Sequence, residues 1–466
     1  MSDYGLEQLE YYFLFSRPYV WWIIAIYLSI PISIYIILPF LTFNGPAGKR
    51  KTVSIIVLGD LGHSPRMCYH ALSFSSLDFY VNLCGYIETL PPPAVVDDIN
   101  IETYPIDVVT NTSGLPYLVF AIKKIILQFF LLVSLLFKLR GSDYFMIQNP
   151  PSIPILAILI VFIKLFSRRS RLVIDWHNLN YTILNLKFNN LNHPLVKFLK
   201  LYEHYLGKFA WLNITVTKQM KKFLISEFDM DKRRIIVLHD RPANQFQPLT
   251  KTKHSKLELL ANHELFEGIK DIQNYKILVS ATSFTPDEDF GILLDALKKY
   301  DLADKTLPPI LLIVTGKGPL KSQFLERVEA LKFLDRVIIR SAWLSSEDYP
   351  VILSLADLGV SLHTSLSGID LPMKIVDFFG VGVPVVTLSF PAIGELVTDG
   401  VNGLATHAEK DSAVSETDEM FRLISNALGD PVLLGKLKDG ALHESDNRWR
   451  ENWTKNLGMT FNYTKQ

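Results

Sequence analysis

The sequence predicts an α/β protein of two doubly wound, Rossmann-like domains facing a cleft, carried behind an N-terminal single transmembrane helix. Three observations predict it. From Lys51 onward, short apolar runs rich in β-branched residues alternate with helix-length segments, the pattern of a parallel sheet covered on both faces. The stretch "RPANQFQPL" at 241–249 interrupts that alternation, and a second series of the same kind follows it. Residues 18–48 carry no charged side chain. The bulk numbers agree with this plan. A chain of 466 residues exceeds one ordinary core, and 49% apolar residues argue against disorder. Lys plus Arg (47) balances Asp plus Glu (47), so no net field draws the chain to nucleic acid. Two cysteines, Cys68 and Cys84, do not make a disulfide framework, and the eleven histidines are too scattered for a metal cluster.

The apolar run reads "VWWIIAIYLSIPISIYIILPFLTF", longer than the roughly 20 residues a spanning helix needs. Trp21 and Trp22 suit the headgroup level, and Pro31 and Pro39 are breaks that membrane helices tolerate. A cleaved signal peptide fits less well, because the run is too long and lacks a small-residue cleavage site. Asp3, Glu7 and Glu10 precede the run, and Lys49, Arg50 and Lys51 follow it. The positive-inside tendency therefore expects a lumenal segment at 1–17, an anchor at 18–43 and a cytosolic remainder. In that orientation the sequons at Asn111, Asn180, Asn213, Asn452 and Asn462 carry no glycan.

The first domain is expected over 51–245. Its strands are read at "TVSIIVLGD", 143–150, 171–178, 213–217 and 233–240, with helix-length segments such as 192–210 between them. The apolar stretches 125–137 and 153–166 are each short for a span. They are read as helices buried for most of their surface, whose basic flanks also suit the anionic face of a bilayer. The second domain is expected over 265–440, with strands at 275–282, 308–319, 335–344, 356–365 and 383–389, and a tail at 441–466.

Every polar motif falls at the carboxyl end of one of these strands, where open α/β sheets bind ligands. In "SGIDLPMKIVDFFGVGVPVVTL" (367–388), Asp370 is read as the N-cap of a short helix, with Pro372 in its first turn. The exposed N–H groups and dipole of that turn, with Lys374 beside them, suit a diphosphate. Asp377, about 10 Å further along the axis, suits a ribose diol. Gly316 and Gly318 in "TGKGP" are read as letting backbone approach a ligand, with Lys317 reaching phosphate, although the P-loop spacing is absent. Thr282 and Ser283 either bind phosphate or cap the helix that follows. In the first domain, "LGDLGHSPRMCYHA" gathers Asp60, Gly62, His63, Ser64 and Arg66 in one loop. That loop suits an anionic acceptor and a general base; equally, Ser64 and Pro65 read as an ordinary helix start. His177 in "DWHN" is a third candidate base at a strand end. Glu203 and His204 share a helix and read as ordinary surface or core polar residues.

Taken together, "VLGDLGHSPRMCYHALSF", "QNPPSIP", "IDWHNLNYTIL", "VTKQM", "SATSFTPDEDFGILLDAL", "TGKGP" and "SLHTSLSGIDLPMKIVDFFGVGVPVV" resemble the chitobiosyldiphosphodolichol β-mannosyltransferases, GT-B glycosyltransferases of the endoplasmic reticulum. The resemblance spans about residues 51–440, and the "GVGVPVV" ending alone would not single out this family among GT-B enzymes. It implies transfer of one mannose from GDP-mannose to dolichol-linked chitobiosyl diphosphate, inverting to a β-1,4 linkage on the cytosolic face of the endoplasmic reticulum membrane. It implies donor binding in the second domain, where the strand-end residues read above are Thr282, Ser283, Gly316, Lys317, Gly318, Asp370, Lys374 and Asp377. It implies acceptor binding in the first, where the loop read above offers Gly62, Ser64 and Arg66. Where many GT-B relatives carry a Glu-x7-Glu pair, this chain has Ile369 and Asp377, with Asp370 one step displaced, and "SFTPDEDF" stands where relatives place Arg and Lys.

The expected reaction is a single displacement, with His63 and Asp60 ranked first as base and His177 after them. No tightly bound cofactor or protein-held metal is expected, free Mg²⁺ being at most an accessory. Hetero-complexes with later mannosyltransferases and homo-oligomers are both compatible with the resemblance. The alternatives are a GT-B enzyme adding an α-linked mannose, and an inactive membrane-tethered scaffold, against which the Asp370, Lys374 and Asp377 set argues.

Overall fold

The structure, a computed structural model, describes residues 18–33, 37, 50–110, 114, 116–252, 255–303, 306–334, 336–365, 367–407 and 414–462. Two sheets form. The first has the strand order β3-β2-β1-β4-β5-β6-β7 and the second β10-β9-β8-β11-β12-β13. The chain separates into two compact units, 1–147 with 152–173, and 148–151 with 174–466.

In the first unit, β1 (Thr52–Asp60) pairs in parallel with β2 (Tyr80–Tyr86) and with β4 (Tyr144–Asn149), and β2 pairs with β3 (Ile101–Pro105). Val53, Ile55 and Val57 are fully buried, as both faces of an inner parallel strand require. The polar atoms that this burial removes from water answer one another. Ser54 shares a 2.6 Å hydrogen bond with Ser142, and the Asn82 amide donates to Ser54 Oγ at 3.0 Å. Helix α1 (Pro18–Ile32) covers the first half of the expected anchor. Of the rest of that run, only residues 33 and 37 are described. Among the described residues no helix is long and apolar enough to cross a membrane.

Helix α2 (Pro65–Ser76) follows β1, with Pro65 in its first turn and Ser64 at the N-cap position. The two apolar stretches of this unit part company. In α4 (Ile155–Phe166) six of twelve residues are buried, the core helix that was expected. In α3 (Tyr117–Lys138) only the second half packs down, through Leu132 and Leu136, while its first turns stay exposed.

The second unit carries β6 (Leu212–Thr215) paired with β7 (Ile235–Val237), and the whole second sheet. The latter comprises β8 (Lys276–Thr282), β9 (Ile310–Gly316), β10 (Val337–Ala342), β11 (Leu358–Ser361), β12 (Val385–Thr387) and β13 (Gly403–Ala405), all parallel. Strand β5 (Arg171–Trp176) ends in this unit. The helices used below are α5 (Asn180–Phe188), α6 (Pro194–Leu206), α7 (Lys218–Ser226), α8 (Phe290–Leu302), α9 (Lys321–Leu331), α10 (Asp348–Leu355), α11 (Met373–Gly380), α12 (Glu416–Gly429) and α13 (Pro431–Glu444).

Helix α11 stops as its sequence demands. Gly382 takes φ +74°, and the N–H groups of Val381, Gly382 and Val383 fold back onto the carbonyls of Asp377, Phe379 and Phe378. Phe378 is fully buried against β11, where a side chain on Gly359 would lie 2.8 Å from its ring. Strand β11 thus forgoes a side chain so that α11 can seat closely. Phe378→Ala is expected to lower the unfolding free energy by about 4 kcal/mol. The shift of the urea midpoint at unchanged slope measures it, and a loss below about 1 kcal/mol would contradict this packing.

Candidate active site

In the second sheet the strand order reverses between β8 and β11, with β9 and β10 on one side and β12 and β13 on the other. Such a reversal opens a crevice beyond the carboxyl ends of the two strands. The end of β8 and the loop after it supply Thr282, Ser283 and Glu288; the loop after β11 supplies His363 and Asp370, and the first turn of α11 supplies Lys374. Glu288 is the organising residue. It is 5% exposed, and Glu288 and His363 form an isolated bridge between the two loops. One carboxylate oxygen accepts from Thr282 Oγ1 at 2.6 Å and from Ser283 N at 2.9 Å, and the other pairs with Lys374 Nζ.

Thr282 and Ser283 therefore do not cap α8, whose N-cap is Asp289, accepting from Gly291 N at 2.7 Å. The two glycines of "TGKGP" serve a different approach from the one read in the sequence. A side chain on Gly316 would sit 1.8 Å from the Thr282 carbonyl oxygen, and one on Gly318 1.8 Å from that of Ser283. These glycines bring the loop after β9 against the loop after β8. Lys317 points to the Trp343 ring, 4.1 Å from its centroid, and so stands apart from the Glu288–Lys374 pair.

Asp370 is not the N-cap of α11; Pro372 holds that position. The chain turns too early for an N-cap at 370, and the Asp370 carboxylate is taken by its own loop. It accepts from Ser367 Oγ at 3.0 Å and from Ser365, and lies 3.6 Å from His363 Nε2. Asp287 lies 3.4 Å from His363 Nδ1, so the imidazole stands between two carboxylates. Burial pushes the Asp370 carboxyl up, but His363 and the two serines outweigh it and hold the group below its usual range. The N-cap residue of α11, Pro372, offers no side-chain cap, and Lys374 in the first turn is answered by Glu288.

Asp377 does not join Lys374. It is half-buried, and Tyr349 of α10 donates to it at 3.3 Å. Burial pushes its carboxyl up to about 8; the Tyr349 hydroxyl opposes this, and the Asp240 charge adds to it. Next to this region an open pocket of about 330 Å³ is lined by Phe284, Phe290, Phe324 and Arg327 beside Glu288.

In the first unit, one loop does bring the predicted residues together. Asp60 Oδ2 lies 2.6 Å from His63 Nδ1, and Asp60 Oδ1 accepts from the N–H groups of Glu88 (3.1 Å) and Thr89 (3.0 Å). Burial raises the Asp60 carboxyl, but Thr89, His63 and Glu88 together prevail and lower it. Ser64 Oγ donates to the Asp60 carbonyl at 2.8 Å, and Arg66 is buried. Gly62 packs against Thr89, whose Cβ lies 2.7 Å from where a side chain would begin.

His177, at the end of β5, has its Nε2 2.8 Å from Asp175, whose side chain is fully buried. Asn149, whose carbonyl accepts from His177 N, leads to a residue that sequence reading set aside. Glu203, fully buried, accepts from Asn149 Nδ2 (2.9 Å) and from the N–H (2.9 Å) and side-chain amide (3.0 Å) of Asn180 at the start of α5. Burial raises its carboxyl against the pull of those donors. Glu395 does the same for α7. It accepts from the N–H groups of Lys218 (2.7 Å) and Gln219 (2.8 Å) and lies 2.8 Å from His239 Nε2. Glu288, His363 and Glu395 were all missed; nothing in "TPDEDF" says which of three adjacent acids turns inward. Among the described residues no group of three or more His, Cys, Asp or Glu is arranged to hold a metal ion.

Two parallel, Rossmann-like sheets, the second with its strand order reversing between β8 and β11, are the fold of a GT-B glycosyltransferase. Solved structures share the fold. A glycosyltransferase from Rickettsia africae aligns with TM-score 0.61 at 15% identity, over 90% of this chain and 100% of that one. Sucrose-phosphate synthase from Thermosynechococcus elongatus aligns with TM-score 0.66 at 12% identity, over 89% and 99%. Residues 275–426 match the family model described as glycosyl transferases group 1. The chitobiosyldiphosphodolichol beta-mannosyltransferase of Debaryomyces hansenii is 62% identical over 98% of this chain and 97% of its own length. That of Candida albicans is 60% identical over 96% of each. The chain belongs to the chitobiosyldiphosphodolichol beta-mannosyltransferase family.

The Asp377 environment sets a pH dependence. Burial holds its carboxyl up at about 8 in the folded chain, against the ordinary aspartate range, about 4, when unfolded. Between those values the folded state holds a proton that the unfolded state has released, so stability falls as pH rises through that window. Thermal denaturation from about pH 5 to 8.5 should show Asp377→Asn gaining on the parent chain as pH rises. Parallel curves would contradict the shifted carboxyl.

Proposed function

We propose that the chain transfers one mannose from GDP-mannose to dolichol-linked chitobiosyl diphosphate, making a β-1,4 bond with inversion at the anomeric carbon. Family membership carries this reading, and the chemistry of the second-sheet loops supports it. The diphosphate of the donor seats at the N-terminal turn of α11, where Lys374 exchanges Glu288 for phosphate oxygens as the leaving group gains charge. Thr282 and Ser283 face the same anion from the end of β8. Asp377, protonated near neutrality, both donates and accepts, which suits a ribose diol.

Asp60 and His63 supply the base. Asp60 is held ionised and therefore accepts only, so it fixes the proton on His63 Nδ1 and leaves Nε2 with its lone pair. His63 is 74% exposed at its side chain, open to an incoming hydroxyl. Nε2 takes the proton from the acceptor O4 as that oxygen attacks the anomeric carbon and GDP departs. Asp175 and His177 form a second pair of the same kind and rank after it. No tightly bound cofactor is invoked. Residues 18–43 form the single-pass anchor, with the catalytic part in the cytosol against the endoplasmic reticulum. The exposed apolar side chains of α1, Trp21 and Trp22 among them, support that placement.

Full-length protein assayed with GDP-mannose and a short-chain chitobiosyl-diphosphate lipid tests the reading, with linkage-specific mannosidases applied to the product. A β-mannosidase-resistant, α-mannosidase-sensitive product would overturn it. Lys374→Ala is expected to lower kcat/KM about 100-fold. His63→Ala should lower kcat about 10²- to 10⁴-fold with little change in donor KM. Retained turnover in both His63→Ala and Asp60→Ala would remove that loop from the chemistry.

A further inference from the structure

The start of α7 is where separate parts of the second unit meet. Thr217, the N-cap residue of α7, is fully buried and uses its one hydroxyl twice. Oγ1 accepts from Met220 N at 2.9 Å and donates its proton to the carbonyl of Ile369. Ile369 lies 152 residues further along the chain, in the segment between β11 and α11. The first two N–H groups of α7, those of Lys218 and Gln219, go to Glu395 in the 3₁₀ turn Ile393–Glu395 that follows β12. That turn and the Ile369 segment also approach each other. Gly368 takes φ +71°, and a side chain on it would lie 3.3 Å from the Pro391 ring. These links close a triangle on residues 217–219, 368–369 and 391–395.

The triangle bears on the helix end that carries Lys374. The segment 363–372 starts tied to the loop after β8, where Thr364 donates to the Asp287 carbonyl through its N–H (3.3 Å) and its Oγ1 (3.0 Å). Ser365 and Ser367 then spend their hydroxyls on Asp370 within the segment itself. Only Asp370, Leu371 and Pro372 separate the Ile369 carbonyl from Met373, the first residue of α11. Pro372 fixes its own φ, so this link is short and stiff. Holding the Ile369 carbonyl therefore sets where the first turn of α11 stands. Ile369 is 9% exposed, so its carbonyl has little water to turn to if the hydroxyl is taken away.

We infer that Thr217 is a positioning residue for the anion site at the start of α11, and that Glu395 holds it in place. It touches no reactant; it fixes the Ile369 carbonyl, and through three residues the turn that bears Lys374. The inference rests on the proposed seat of the donor diphosphate at that turn. Without the hydroxyl the segment is ordered only as the donor binds, and the cost of ordering falls on affinity rather than on the chemical step.

The test compares the full-length parent with Thr217→Val, Thr217→Ser and Glu395→Gln, by calorimetric titration with GDP and by steady-state turnover of GDP-mannose. Thr217→Val keeps much of the shape but has no proton to donate. It should raise the GDP Kd and the donor KM about 10-fold and leave kcat within about 2-fold. Thr217→Ser keeps the hydroxyl and should behave as the parent. Glu395→Gln removes the charge that faces the Lys218 and Gln219 N–H groups, and should raise both constants about 3-fold. A residue that only capped α7 would, when replaced, lower Tm and the active fraction and leave Kd and KM at parent values. That outcome overturns the inference, as does Thr217→Ser behaving like Thr217→Val. If Thr217→Val does not fold, an unchanged GDP Kd in Glu395→Gln overturns it. A parent chain that does not bind GDP overturns the donor reading and the inference together.

Discussion

A carboxylate withdrawn from water has to be met by donors, and in the second unit Glu288 imposes that demand. Two separated pieces of chain meet it: Thr282 and Ser283 at the end of β8, and Lys374 on α11. Removing one partner of such a pair costs about 3–5 kcal/mol, because the remaining charge stays buried and unanswered. The two loops at the switch point are therefore tied by a requirement stronger than their own turn preferences. The glycines at 316 and 318 complete the arrangement by letting a third loop pack backbone to backbone against the first. In the proposed donor site a diphosphate would compete with Glu288 for Lys374, a cation the fold already holds in position.

The same chemistry explains which helix ends remain open to a ligand. Glu203 answers the N–H groups at the start of α5, and Glu395 those at the start of α7. Asp289, Ser415 and Asp430 cap α8, α12 and α13 from the preceding residue. Each of these carboxylates or hydroxyls occupies the place a phosphate oxygen would take. Helix α11 lacks such a side chain, and Lys374 lies in its first turn. Capping from within the protein thus fills several helix ends, while others, α9 and α11 among them, begin on a residue whose side chain makes no cap.

Much of the fold was legible because inner parallel strands are apolar on both faces. β1, β8 and β9 stand out as runs of Val, Ile and Leu, and the Gly-rich end of α11 announces its stop. β2 and β3 were not read as strands. β2 carries Asn82 and Gly85, and its buried amide is tolerable only because Ser54 waits across the sheet. β3 is an edge strand, with Glu102 and Tyr104 looking outward and Pro105 ending it. In the site, the residue types were legible and their partners were not. Asp370, Lys374 and Asp377 share a short segment, yet the structure gives them to a serine–histidine loop, to Glu288 and to Tyr349 respectively. Helical spacing fixes which direction a side chain leaves the axis; it does not fix what waits there. The burial expected for most of 125–137 holds only for the side that carries Gln128, Leu132 and Leu136, since an apolar sequence does not by itself say how much of a helix the protein covers.

The two Asp–His pairs show how little separates a base from a structural histidine. In each, an aspartate withdrawn from solvent fixes one ring nitrogen: Nδ1 of His63, and Nε2 of His177. The nitrogen left over is Nε2 at the tip of the ring in the first case, and Nδ1 close to the backbone in the second. The tip nitrogen reaches a substrate hydroxyl without main chain crowding it, and the His63 side chain is about three times as exposed, at 74% against 25%. Asp60 also spends its second oxygen on the N–H groups of Glu88 and Thr89, so the carboxylate is held from behind while it orients the imidazole. Orientation, access and a fixed tautomer coincide at His63, and at His177 only the tautomer is fixed.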